Sequence, residues 1–239
     1  MRLFIITINM KPLRIFTIGA IALFLAACQR PDHATLDNQD PLQRLLDGNA
    51  RFVSGDLWHP HQTAARVKET ASGQHPFAVV ITCSDSRVSP EILFDEGIGD
   101  LFTIRTAGNL LSDIELGSVE YAVEHLGAKL IAVVGHTECG AVKAFVEGGE
   151  APGHIADLVE TIAHEAEEQT VVAQVGKNLP ACIAANVLHG VDQLRHDHPI
   201  LADKIASGEV QLAPMLYDLK TGKVKVLNEQ ELRKEYHLR

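Results

Sequence analysis

The chain has 239 residues, 46% of them apolar and 5% aromatic, which fits an ordinary α/β core of one large or two small domains rather than a disordered chain or a solenoid. Its formal charge of −10 comes without a basic cluster or a basic-aromatic stripe, which argues against nucleic acid as a partner. Four cysteines, at positions 28, 83, 139 and 182, are too sparse for a disulfide scaffold.

Residues 1–27 read as a leader. Lys11 and Arg14 precede an apolar run from Ile15 to Ala27, too short to span a bilayer but of the right length for a secretory hydrophobic region. Met10 is an alternative start. The run ends Leu25-Ala-Ala-Cys28, which resembles the bacterial lipobox. That resemblance implies cleavage before Cys28, lipidation of its thiol, and a periplasmic protein that meets the membrane only through its lipid. An ordinary signal peptide with a cysteine after its small residues is the alternative. Loss of Arg2, Lys11 and Arg14 with the leader takes the charge from −10 to −13.

Residues 28–40 are polar and aperiodic and read as a tether, with the domain at 41–239. Leu42, Leu45, Leu46, Ala50 and Phe52 recur at helical spacing and predict an opening amphipathic helix. Trp58-His-Pro-His61 reads as a surface loop, not a metal site. Strand and helix then alternate. Strands are predicted at Phe77–Thr82, Asp100–Thr106, Lys129–Gly135, Val210–Tyr217 and Lys223–Leu227, the last two joined by a turn at Lys220-Thr-Gly222. Helical stretches are predicted at Pro90–Phe94, Ser118–Leu126, Ala141–Glu147, Ile155–Gln169 and Asn178–Arg195. The alternation implies an α/β fold with a mostly parallel central sheet flanked by helices.

The chemistry concentrates where two buried strands end. Phe77-Ala-Val-Val-Ile-Thr stops at Cys83, with Asp85 and Arg87 at the next alternate positions. The run KLIAVVG leads directly into His136-Thr-Glu-Cys139-Gly140. Open α/β sheets bind ligands at the carboxyl ends of their strands. Two thiolates and one imidazole gathered there favour Zn²⁺, and three protein ligands with one position open is the catalytic arrangement. A Cys83–Cys139 disulfide is the competing reading, but it gives Asp85, Arg87 and His136 no role. Cys182, between Ala181 and Ile183 in mid-helix, reads as core packing. No strand is followed by a glycine-rich phosphate loop, which argues against a nucleotide-binding domain.

Cys83-Ser-Asp-Ser-Arg87 followed by Gly135-His-x-x-Cys-Gly140 resembles the β-class carbonic anhydrases. The resemblance extends over roughly Leu42 to Leu227, through Ile104-Arg-Thr-Ala-Gly-Asn109, Glu120-Tyr-Ala-Val123, His198-Pro-Ile-Leu201 and Tyr217-Asp-Leu-x-Thr-Gly-x-Val224. It implies reversible hydration of CO₂ to bicarbonate and a proton, with zinc held by Cys83, His136 and Cys139. The fourth ligand is then water or Asp85 itself. Zinc lowers the pKa of bound water from 15.7 to about 7, which makes hydroxide available for attack on CO₂. Asp85 then orients the attacking oxygen, and Arg87 latches Asp85 away from the metal. Breaking the latch predicts a site that closes at lower pH. The resemblance further implies that Gln74 binds bicarbonate, that Phe102 and Tyr121 line the CO₂ pocket across a dimer interface, and that Gly140 lies beside the metal. A homodimer or tetramer follows.

Three positions depart from the family pattern. Val80 stands where relatives with an allosteric bicarbonate site carry Trp, which argues against that regulatory pocket. Glu138 occupies a variable position, and Pro214 predicts an edge strand or bulge. Two other functions use the same zinc: hydrolysis of carbon disulfide or carbonyl sulfide, and a non-catalytic zinc lipoprotein.

Overall fold

The structure, a computed structural model, describes Leu36 and residues 38–238. The leader and Cys28 lie outside the described residues. Five strands form one sheet in the order β2-β1-β3-β4-β5: β1 (Ala78–Cys83), β2 (Leu101–Thr106), β3 (Leu130–His136), β4 (Gln211–Tyr217) and β5 (Val224–Val226). The first four are parallel, and β5 closes an antiparallel hairpin on β4. The α/β architecture is the one read from the sequence.

Every residue of β1 and β3 is buried, which is why both strands read as continuous apolar runs rather than alternating ones. Their side chains alternate between two cores. Val79, Ile81, Ile131 and Val133 pack with Val119, Ala122 and Val123 of α4 (Asp113–Glu124) and with Val187, Val191 and Leu194 of α8 (Leu179–His196). Val80, Leu130, Ala132 and Val134 pack on the opposite face with Leu45 of α1 (Pro41–Ser54) and Leu93 of α3 (Pro90–Leu93). Helix α1 starts where Asp40 accepts a hydrogen bond from the Gln43 N–H, with Pro41 in its first turn, and stops at left-handed Gly55. A third core covers the carboxyl end of the sheet. It is built on α5 (Gly140–Glu147), α6 (Ile155–His164), α7 (Ala166–Val175) and α8.

Several expectations change. The helix expected at Ser118–Leu126 begins at Asp113, because Ser112 and Glu115 form a reciprocal capping box. The single helix expected over Ile155–Gln169 is two, broken where Glu165 turns extended (φ −63°, ψ 130°). Pro214 lies at the margin of the β4–β5 ladder rather than on an edge strand: β5 pairs only with Met215–Tyr217, and Pro214 accepts from the Leu227 N–H at 2.9 Å just beyond the last residue of β5. Its missing N–H falls where the ladder is already ending. His61 is buried rather than on the surface, with Nδ1 2.6 Å from Asp100 Oδ1. It belongs to a charged layer beneath the sheet in which Arg44 grips Glu96 through two hydrogen bonds and Arg51 pairs with Asp95. Three short helices lacked a periodic signal: α2 (Ala64–Thr70), α9 (Leu201–Ala206) and α10 (Glu229–Glu235). Among the described residues, no helix is long and apolar enough to cross a membrane.

Where α6 gives way to α7, Glu165 and Glu168 are buried without hydrogen-bond partners for their carboxylates. Burial pushes Glu168 up from its ordinary 4.5 to about 8. Below 4.5 the group is protonated in both states. Above it the unfolded chain ionises first, so this group's contribution to stability falls as pH rises towards about 8. Glu168→Gln should therefore differ little from wild type in melting temperature at pH 5 and exceed it by roughly 4 °C or more at pH 8.5. Thermal melts across that range check it; a pH-independent difference would contradict the assignment.

Candidate metal centre

The parallel register of β1 on β3 brings the two sequence motifs together. Thr82 is opposite Val134, so Cys83 leaves the sheet beside the point where His136 ends β3. The chain then turns through Thr137 and Glu138, the latter left-handed at φ 56°, and enters α5 with Cys139 as its N-cap. Tyr217 and Leu219, at and just beyond the end of β4, brace that turn: the Tyr217 carbonyl accepts from the Thr137 N–H, and the Leu219 N–H donates to the Thr137 hydroxyl. Gly135 makes room for the closing helix, since a Cβ there would lie 2.4 Å from Val187 Cγ2.

The ligand atoms of Cys83, His136 and Cys139 all lie within 4.8 Å of one another, and all three residues are buried. All three described cysteines, Cys182 included, are free buried thiols, and no Cys83–Cys139 disulfide forms. His136 Nδ1 is 2.9 Å from the Thr137 carbonyl, which assigns its proton to that nitrogen and the lone pair to Nε2. Nε2 is buried with no partner. Cys83 is lowered to about 4, first by its hydrogen bond with Cys139, with the Gly108 and Asp85 backbone N–H groups adding to it against burial. Cys139 is pushed up, by its bond to Cys83 and by burial. Of the two sulfurs, Cys83 is the one its surroundings favour as thiolate. An unpaired imidazole lone pair beside two buried cysteine sulfurs fits a borderline-soft cation, and Zn²⁺ matches this donor set.

Asp85 and Arg87 stand at the mouth. Arg87 Nε donates to Asp85 Oδ1 at 2.9 Å and Nη2 to Oδ2 at 2.7 Å, while the Arg87 backbone N–H adds a third bond to Oδ1 at 2.9 Å. Oδ2 is 4.0 Å from His136 Nε2. The Arg87 hydrogen bonds hold the Asp85 carboxyl far below the usual carboxylate range. Both oxygens are therefore engaged by the guanidinium. Arg105, which lies within the Ile104–Asn109 motif, fixes the turn from outside. It donates to the Cys83 carbonyl at 3.3 Å and to the Asp85 carbonyl at 2.8 Å.

Gly140 opens α5 directly after Cys139. Gln74, Phe102 and Tyr121 do not reach the cluster of their own chain. Gln74 is exposed in the loop before β1, and Phe102 pairs with Val79, four residues and about 13 Å below the level of Cys83. Phe102 and Tyr121 do meet each other, with ring centroids 6.4 Å apart, beside the unpaired edge of β2, and Tyr121 is half exposed.

Comparison with known proteins agrees with the site. A family model described as carbonic anhydrase matches residues 78–224. A carbonic anhydrase of Mycolicibacterium smegmatis is 39% identical over 203 residues, covering 80% of this chain and 95% of its own. The solved β-carbonic anhydrase CcaA superposes with a TM-score of 0.63 at 28% identity, covering 77% of this chain and 86% of that one. One of two tetrameric β-carbonic anhydrases from Sordaria macrospora gives 0.61 at 25% identity, covering 80% and 98%. With the family matched over more than half of its length and the three ligands gathered at the sheet's carboxyl end, the chain belongs to the β-class carbonic anhydrases, whose zinc the Cys83, His136 and Cys139 cluster is suited to hold.

Proposed function

We propose that this carbonic anhydrase hydrates CO₂ with Asp85 and Arg87 as a working dyad beside the zinc ligands. Zinc bound by Cys83, His136 and Cys139 supplies a Lewis acid that makes hydroxide accessible near neutral pH. The observation that carries the reading is the Asp85–Arg87 pair, joined by two side-chain hydrogen bonds, beside a buried His136 Nε2 left without a partner. A site that used its metal only for folding gains nothing from that pair.

Asp85 remains an acceptor throughout the neutral range, because Arg87 keeps it ionised. It accepts a hydrogen bond from the attacking water and turns a lone pair towards the carbon of CO₂. The new C–O bond yields bicarbonate, and the proton leaves to solvent. Arg87 keeps the carboxylate at this task. With the pair broken, the Asp85 oxygens, one of them 4.0 Å from His136 Nε2, would be free to join Cys83, His136 and Cys139 in holding the metal.

The remaining substrate contacts come from a second copy. Phe102 and Tyr121 lie towards the amino end of β2, next to its edge, Gln74 lies in the exposed loop before β1, and the metal cluster lies at the carboxyl ends. A two-fold axis against that edge gives each pocket its partner's Gln74 amide for bicarbonate and its partner's rings for CO₂. Gly140 leaves space beside the metal ligands. The leader sequence and Cys28 support a lipid-anchored periplasmic location, with the domain tethered through residues 28–40.

Two experiments test this reading. In stopped-flow assays Asp85→Asn should lower kcat/KM for CO₂ about 100-fold while retaining about one zinc per chain. A zinc-loaded wild type that hydrates CO₂ no faster than buffer, or that prefers carbonyl sulfide or carbon disulfide, would overturn it. Cys139→Ser and Phe102→Ala/Tyr121→Ala chains should each be nearly inactive. Co-expressed, they should recover about a quarter of wild-type activity, because half of random dimers carry one intact composite site. No recovery would place the aromatic residues in the pocket of their own chain.

A further inference from the structure

Asn186 lies in the middle of α8, in the run Ala184-Ala-Asn-Val-Leu188, and is 3% exposed. A carboxamide buried between a helix and a sheet is costly unless it is paired. Its Nδ2 donates to the Gly108 carbonyl at 2.8 Å and to Asn109 Oδ1 at 3.3 Å. These two residues form the 3₁₀ turn after β2 (Ala107–Asn109), and both are left-handed, Gly108 at φ 72° and Asn109 at φ 51°.

That turn touches the metal centre. The Gly108 N–H donates to Cys83 Sγ at 3.3 Å. The turn is also closely confined: a Cβ on Gly108 would lie 3.0 Å from Ala141 Cβ, in the first turn of α5. Two consecutive left-handed residues hold only where their surroundings over-determine them, and here Asn186 supplies bonds to both. The next residue along α8, Val187, abuts Gly135 immediately before His136. One helix therefore registers the donor to the Cys83 sulfur and the strand end that carries the imidazole.

We propose that Asn186 is a positioning residue of the metal centre: by clamping the Gly108–Asn109 turn, it holds a backbone N–H on the sulfur of Cys83 and so sets how much charge that thiolate donates to the metal. The inference rests on the zinc reading above. An N–H···S bond withdraws charge from the thiolate and orients its lone pairs, and loss of such an outer partner typically weakens metal binding or activity about 10–100-fold.

Two variants separate positioning from packing. Asn186→Leu keeps the volume and removes the donors; Asn186→Asp keeps the shape, loses the Nδ2 donor, and carries the test should the leucine variant not fold. Each is purified with zinc and, separately, with Co²⁺, whose thiolate-to-metal absorption reports sulfur charge without reference to turnover. The expected result is a shift of that band to lower energy and at least about 10-fold faster loss of metal to a chelator. Asn186→Thr or Asn186→Gln, where either restores a donor to the turn, should bring the band back towards wild type. An unshifted band with chelator resistance within twofold of wild type in a folded variant overturns the inference, whatever happens to the melting temperature. A wild-type chain that binds neither Zn²⁺ nor Co²⁺ would instead overturn the zinc reading itself.

Discussion

The structure depends first on the register between β1 and β3. Both strands are buried on both faces, so each side chain is committed to one core or the other. A slip of one residue would exchange every core position and turn Cys83 away from His136. The register that satisfies two hydrophobic layers is therefore the one that assembles the ligands. Burial specifies the site, and this explains how a thiol and an imidazole separated by more than fifty residues meet without direct bonds to pull them together before metal arrives.

Much of this was legible in the sequence. The four parallel strands were legible to within one residue, β1 and β3 most sharply because fully buried strands leave uninterrupted apolar runs with sharp ends. Cys83, Asp85 and Arg87 are local in sequence, as are His136 and Cys139, and their chemistry shows in residue type alone. What escaped notice acts over long separations or through the backbone. Asn186 reaches Gly108 across 78 positions, and nothing about a helical asparagine names its partner; the available signal was a polar residue amid apolar ones. Arg105 holds two carbonyls, and backbone acceptors carry no sequence signature. His61 looked like a loop residue because its partner, Asp100, is supplied by tertiary folding. The break at Glu165 was hidden by helix-forming residues on both sides of it.

The two ends of the sheet treat charge differently. At the amino end, Arg44 pairs with Glu96 and Asp100, and further along α1 Arg51 pairs with Asp95, in buried or nearly buried pairs. Such pairs gain little net stability over apolar packing, but removing one partner is costly, so they fix geometry. At the carboxyl end the pairing is left incomplete: His136 Nε2 has no partner, and it is buried beside two cysteine sulfurs. Asp85 lies close to this deficit yet is bound to Arg87. The incompleteness is local and directional, and the buried cations at the other end cannot relieve it.

The unpaired edge of β2 belongs to the same economy of design. An exposed strand edge is normally a liability that proteins shield with charge, bulges or covering segments. Here the edge stands beside Phe102 and a half-exposed Tyr121, with Ile114 of the same helix largely exposed as well. Within one chain these groups are on the wrong end of the sheet to serve the metal cluster, and as core residues they are too exposed to be well used. Under the two-copy pocket proposed above, a chain running the other way would bring these rings to the carboxyl end, and both facts would have one cause. On that reading, the edge is left open because closing it within the chain would leave the site half built.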